Sequence, residues 1–237
     1  MYSELVGLTV VLTREDNTEL AWRLRGVCAE VIELPCVRTE PLDDTRALED
    51  AVAPLESDDW LVITSRHGAD AVARCGRTRA SIAAVGRSTA ARLAALGYIV
   101  DFTPHAANGE ALARELPMRS GIVVLARSDR ALPDLPRLLR TRGFTVHEIV
   151  AYRTDSGARG DVARVRTLLG STDVRVAVLF HSPSAIEGML AAVDADLVRR
   201  ASIFVGGGST LRAARELLGP AAHVSVLQEE MIHVAHR

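Results

Sequence analysis

Short apolar runs rich in valine, isoleucine and leucine recur along the chain. Each closes on threonine, serine, glycine or arginine and is followed by a stretch with helical spacing. This pattern predicts strands at 8–12, 30–34, 60–64, 81–85 and 99–102 in the first half, and at 121–126, 145–150, 175–180, 201–205 and 223–227 in the second. Between them lie amphipathic patterns such as Leu20, Leu24 and Val27, or Leu135, Leu138 and Leu139. Gly97 and Gly143 fall just past such stretches, where C-cap glycines belong. Near-continuous apolar strands alternating with helices mean parallel sheets covered on both faces. Ten strands over 237 residues fit two five-stranded doubly wound sheets better than one very large sheet.

The chain also repeats itself, with copies roughly 115 residues apart. Val10-Val11-Leu12-Thr13-Arg14 matches Val123-Val124-Leu125-Ala126-Arg127, and Val37-Arg38-Thr39 matches Tyr152-Arg153-Thr154. Leu61-Val62-Ile63-Thr64-Ser65 matches Val178-Leu179-Phe180-His181-Ser182, and Gly86-Arg87-Ser88-Thr89 matches Gly207-Gly208-Ser209-Thr210. The order is the same in both copies. The two Arg-Thr segments, 36–41 and 151–156, interrupt the alternation and read as crossings between domains. Crossing at both would give an inserted α/β domain at 42–150 and a discontinuous one made of 1–35 plus 157–237. Periodicity leaves two contiguous halves as the alternative.

Composition narrows the chemistry. All 28 basic residues are arginine, as a GC-rich coding sequence would give. Without lysine there is no Schiff-base lysine, no phosphate-loop lysine and no lysine base. The net charge of −2 gives no sign of nucleic-acid binding. No apolar run reaches the length of a membrane span, and Met1-Tyr2-Ser3-Glu4-Leu5 does not open a signal peptide. Cys28, Cys36 and Cys75 are odd in number and lack C-x-x-C spacing, which fits a reducing cytoplasmic setting.

Doubly wound sheets bind ligands beyond the carboxyl ends of their strands, where helix N-termini point N–H groups outward. The polar residues gather at such ends: Thr13 and Arg14; Thr64, Ser65, Arg66 and His67; Gly86, Ser88 and Thr89; Arg127 and Ser128; His181, Ser182 and Ser184; Gly208, Ser209 and Thr210. Any single serine or threonine here reads equally well as an N-cap, but together they favour an anion site. There is no G-x-x-x-x-G-K-[ST] motif, and Gly206-Gly207-Gly208 lacks G-x-G-x-x-G spacing. The seven histidines are scattered, His233 and His236 in a frayed C-terminus, so no metal site is expected.

In the order and spacing of these pieces the chain resembles the uroporphyrinogen-III synthase family, nearly end to end. The resemblance is carried by Val11-Leu12-Thr13-Arg14, Ala29-Glu30-Val31-Ile32-Glu33-Leu34-Pro35, Trp60-Leu61-Val62-Ile63-Thr64-Ser65 and Ala84-Val85-Gly86-Arg87-Ser88-Thr89-Ala90. Ala151-Tyr152-Arg153-Thr154 and Phe180-His181-Ser182-Pro183-Ser184-Ala185 continue it, with the second Gly-x-Ser-Thr. It implies two similar doubly wound, flavodoxin-like domains of five strands each, joined by a two-stranded linker, with the active site in a cleft between them. It implies a cofactor-free monomer that dehydrates and cyclises hydroxymethylbilane, a linear chain of four pyrroles, while inverting the last ring. Tyr152 matches the family tyrosine proposed to help the hydroxyl leave; its bland reading is packing between domains. The substrate's many carboxylates suit arginines, hydroxyls and helix N-termini.

Three features depart from the family. His181 stands where threonine is usual. The second glycine turn carries an extra Gly206 and lacks a proline. The chain is short after Val226, from a clipped last helix or a removed further domain. A tetrapyrrole-binding regulatory module of the same fold is the alternative to the enzyme, and a generic two-domain binding protein a more distant one.

Overall fold

The computed structural model describes residues 3–227. The sequence readings at Met1 and Tyr2, at His233 and His236, and on the terminus beyond Leu227 lie outside the described residues. The chain runs through β1 (Thr9–Leu12), α1 (Thr18–Leu24), β2 (Glu30–Glu33), β3 (Val37–Pro41), α2 (Arg46–Val52), β4 (Trp60–Ile63), α3 (Arg66–Arg74), β5 (Ser81–Ala84), α4 (Arg87–Ala95) and α5 (Gly109–Glu115). It continues through β6 (Val123–Ser128), α6 (Asp134–Thr141), β7 (Val146–Ser156), α7 (Val162–Gly170), β8 (Val176–Phe180), α8 (Pro183–Leu190), α9 (Ala195–Val198), β9 (Ser202–Val205), α10 (Gly208–Leu218) and β10 (Val224–Val226). Two compact units result, Met1–Arg38 with Asp155–Arg237, and Thr39–Thr154.

The discontinuous unit holds a five-stranded sheet in the order β10-β9-β8-β1-β2, with parallel pairing throughout. Numbered within the unit, that is the 2-1-3-4-5 order of doubly wound folds. Alternation along β1 serves both faces: Val11 packs with Val165, Ile186 and Ala214 from α7, α8 and α10, whereas Val10 and Leu12 pack with Leu20, Ala21 and Leu24 of α1. One contact is unusually tight. A Cβ on Gly188 of α8 would lie 1.9 Å from the Cys36 carbonyl oxygen, which accepts the Gly157 N–H at 3.0 Å. The Arg159 N–H bonds the Pro35 carbonyl at 2.7 Å. The two passages that lead to and from the other unit are therefore tied backbone to backbone under α8.

The contiguous unit has the order β3-β7-β6-β4-β5. Its β5-β4-β6-β7 set occupies the same positions as β9-β8-β1-β2 in the first sheet, with the chain halves in swapped order. The repeats read from the sequence therefore fall on equivalent strands, β1 with β6 and β8 with β4. Leu61, Ile63, Val124 and Ala126 pack on one face, and Trp60, Val62, Val123 and Leu125 on the other.

The edges differ from expectation. The predicted strand at 99–102 forms only an isolated parallel bridge, Ala83 to Phe102. The Asp101 carboxylate takes the Ile82 N–H at 2.8 Å, occupying the donor a ladder would use, and Pro104, which has no N–H, ends the run. At the other edge β3 supplies the fifth strand. The segments read as crossings are strands, β3 and the end of β7, neighbours in this sheet. Gly97 and Gly143 take positive φ of 82° and 94°, as C-cap glycines do. Among the described residues no helix is long and apolar enough to cross a membrane.

Candidate functional site

In the contiguous unit β4 is wholly buried and ends at Ile63, so Thr64 and Ser65 emerge at its carboxyl end. Ser65 is extended (φ −156°, ψ 162°), and its Oγ accepts the Gly68 N–H at 2.9 Å, capping α3. The Tyr152 hydroxyl lies 2.7 Å from that same Oγ. Tyr152 reaches it because the β6–β7 register slips: Arg127 pairs with Val150, yet Ser128 pairs with Tyr152. Ala151 is the extra residue of a bulge, a device that re-aims side chains near sites. Alternation breaks there, and Ala151 and Tyr152 are both buried while Val150 is exposed.

The turn after β6 is laced to β7. Ser128 Oγ is 2.8 Å from Thr154 Oγ1, the Asp129 N–H bonds the Tyr152 carbonyl at 3.2 Å, and the Thr154 N–H bonds Asp129 Oδ1 at 2.9 Å. The exposed His67 places its ring centroid 5.7 Å from that of Tyr152. Burial is the main influence on the Tyr152 phenol and pushes its pKa above the ordinary value; Ser65 and Arg127 pull it down and Asp129 adds to the rise. Tyr152 therefore carries its proton at neutral pH.

In the discontinuous unit the matching ends carry Arg14, His181, Ser182 and the Gly206–Ser209 turn. Ser182 caps α8, its Oγ accepting the Ala185 N–H at 3.2 Å. The His181 ring packs on Gly206, where a Cβ would lie 3.2 Å from Cδ2. Among the described residues the buried His181 Nδ1 meets no hydrogen-bond partner. Burial first, and the Arg14 charge second, bring its pKa down to about 4.

A neutral histidine here makes stability depend on pH. Between pH 6.5 and about 4 the unfolded chain binds a proton that the folded chain does not, so stability falls as pH drops through that window. The loss reaches roughly 3 kcal/mol at most, at about 1.4 kcal/mol per pH unit. His181→Thr is expected to flatten this part of the dependence in urea denaturation at pH 7, 6, 5 and 4.5. Parallel curves for both proteins would contradict it.

Several residues expected to meet a ligand face inward instead. Thr13 is fully buried and donates its hydroxyl to the Leu179 carbonyl at 2.6 Å, and Thr89 and Thr210 are likewise buried. Arg127 pairs with Glu148 at 3.0 Å and donates to the Leu132 carbonyl; burial lowers its pKa, against the pull of Glu148. Thr13 and Arg127 thus satisfy their polar atoms within the scaffold, whereas Thr89 and Thr210 are buried in the first turns of α4 and α10. Gly86 is glycine because a Cβ would lie 2.7 Å from Ala107 Cβ, which leaves no room for a ligand on that side. Arg66, Ser88, Gly208 and Ser209 are exposed, and Arg14, Thr64, Ser65, Ser128, Ser182 and Ser184 are half-buried.

The structure draws Ser65, Tyr152 and Ser128 into one bonded neighbourhood. The sequence carries no local signal for the Ser65–Tyr152 contact, since 87 residues separate the pair. Cys28, Cys36 and Cys75 are free thiols; burial pushes Cys36 up to about 12, opposed by Arg159. Among the described residues no group of three or more His, Cys, Asp or Glu could hold a metal ion. A cavity of about 430 Å³ opens by Arg175, Arg200 and Glu4 at the amino ends of β8 and β9, the opposite end of that sheet from His181.

The family model for uroporphyrinogen-III synthase HemD matches residues 18–227. The chain belongs to the uroporphyrinogen-III synthase family. Two curated relatives are similar to it. The porphyrin biosynthesis protein HemD of Ruminiclostridium josui is 26% identical over 231 residues, covering 91% of this chain and 45% of its own. The uroporphyrinogen-III synthase of Synechococcus elongatus is 28% identical over 163 residues, covering 63% of this chain and 62% of its own. The chain thus spans about half to three-fifths of the relatives it matches. A crystal structure of a mutant uroporphyrinogen-III synthase from Thermus thermophilus shares the fold, with a TM-score of 0.63, 20% identity and 94% of each chain covered. In this member of the family the tyrosine of the second Arg-Thr segment is bonded to a serine at a strand end.

Proposed function

We propose that the protein is a uroporphyrinogen-III synthase, which dehydrates and cyclises hydroxymethylbilane with inversion of its last ring. The observation that carries this reading, given the family, is a protonated Tyr152 hydroxyl held 2.7 Å from Ser65 at the carboxyl ends of β4 and β7. Loss of hydroxide from the bilane leaves a resonance-stabilised cation, so a weak acid suffices, and a phenol provides one. Orientation does the rest, by presenting the correct carbon of the last ring for closure. Arg14, Arg66 and the hydroxyls at the strand ends suit the substrate's carboxylates. The proposed setting is the cytoplasm, with the protein acting as a monomer without cofactor; three free thiols fit a reducing compartment.

The test is a coupled assay with freshly made hydroxymethylbilane that resolves the two product isomers. Type III product above the spontaneous background is the expected outcome; type I product alone, at the uncatalysed rate, would refute the enzyme. His181 in place of the family threonine, with the altered glycine turn, leaves standing the second reading, a regulatory module that binds tetrapyrrole without turnover. That reading predicts saturable binding of the bilane with no type III product.

A further inference from the structure

We infer that Ser65 acts through Tyr152, as the hydroxyl that sets which way the phenol points its proton and holds the oxygen once the proton has left. This rests on the reading of Tyr152 as proton donor.

A serine hydroxyl has one proton and two acceptor positions. At Ser65 one acceptor position is taken by the Gly68 N–H at 2.9 Å. Two arrangements remain for the 2.7 Å contact with Tyr152. If Tyr152 donates, its proton is tied to Ser65 and is unavailable to a substrate. If Ser65 donates, the phenol O–H is free to turn outward. Only the second arrangement leaves a donor on the phenolate after transfer. Accepting a bond from the first turn of α3 polarises the Ser65 O–H and makes it the better donor, because linked hydrogen bonds strengthen one another.

The other charged and titratable groups near the phenol are Arg127 on β6, Asp129 in the following turn and His67 on α3. Arg127 and Asp129 act in opposite senses, and of the groups acting on the phenol only Ser65 is hydrogen-bonded to it. The proton balance is closed. The phenol O–H breaks, its proton joins the leaving hydroxyl as the C–O bond breaks with its electron pair, and water departs. The proton released from pyrrole carbon at ring closure returns to the phenolate.

The experiment uses the full chain with 13Cζ-labelled tyrosine, the Tyr152 resonance being assigned by its loss in Tyr152→Phe. Ser65→Ala is expected to raise the Tyr152 titration midpoint by about one pH unit and to slow type III formation by roughly ten-fold. Ser65→Thr, which keeps the hydroxyl, retains most of the rate. In a Tyr152→Phe background Ser65→Ala causes no further loss, since its effect runs through the phenol. Equal losses in both backgrounds would mean that Ser65 touches substrate itself, and an unmoved midpoint would mean that it donates nothing to Tyr152; either overturns the inference. Ser65→Gly caps a helix almost as well as serine and replaces the alanine variant if α3 frays. If the wild type makes no type III product, the enzyme reading fails on its own, while the titration still judges the Ser65–Tyr152 bond.

Discussion

Tyr152→Phe is expected to slow type III formation by roughly 10²–10⁴-fold while leaving the protein folded. The variant keeps the ring, which is buried against the Leu61, Val124 and Ala126 cluster, and removes one oxygen. Ser65 still accepts the Gly68 N–H, so the cap of α3 survives. The stability lost is that of one hydrogen bond, about 1 kcal/mol. The rate lost is that of general acid catalysis, typically 10²–10⁴-fold. Stopped assays with separation of the isomers would show type I product accumulating at its spontaneous rate, next to a denaturation midpoint close to wild type. A type III rate equal to wild type would make Tyr152 a packing residue.

The largest expected effect on stability lies elsewhere. Gly188→Ala places a methyl 1.9 Å from the Cys36 carbonyl oxygen, and 2.8 Å from the Gly157 nitrogen that bonds it. Both neighbours are backbone, so neither can swing aside as a side chain would. Either α8 retreats from the sheet or the Cys36–Gly157 bond breaks. Overpacking of this kind costs about 1–3 kcal/mol and the bond adds about 1. A loss of roughly 3 kcal/mol is expected in urea denaturation of the full chain. Gly157→Ala is the control: nothing lies within 4 Å of the added Cβ, and a change below 1 kcal/mol is expected. Equal effects of the two substitutions would remove the steric account.

What the sequence reveals and what it hides divides along physical lines. The wholly buried strands β1, β4 and β8 announce themselves because both faces are covered, which writes an unbroken apolar run. The edges are less legible. Residues 99–102 have strand composition, but whether an edge pairs depends on its neighbours, and Asp101 intercepts the Ile82 N–H. Polar residues at strand ends are visible as a class, yet the direction of each side chain is not. Arg127 and Arg14 occupy matching places in the repeat, and one is sealed against Glu148 while the other stands half-buried beside His181. Gly86 reads as a ligand-approach glycine from its motif, and a Cβ there would press on Ala107 from a loop twenty-one residues on, a contact with no periodic signature. The Tyr152 bulge is hidden for the same reason, because a one-residue slip leaves composition unchanged.

The bond from Thr13 to the Leu179 carbonyl spans 166 residues, and β1 pairs with β8 over almost the same separation, as in Leu12 with Leu179. Residues 39–154, by contrast, carry every strand of their sheet core without outside help. During synthesis, at about 5–20 residues per second, the ribosome releases β1, α1 and β2 long before their central partner exists. Non-local pairing is slow because loop closure must precede it. The inserted unit therefore has all its strands in hand first, and its condensation would shorten the loop that the outer unit has to close. β1, α1 and β2 leave the ribosome ahead of the inserted unit, yet their sheet is completed after it.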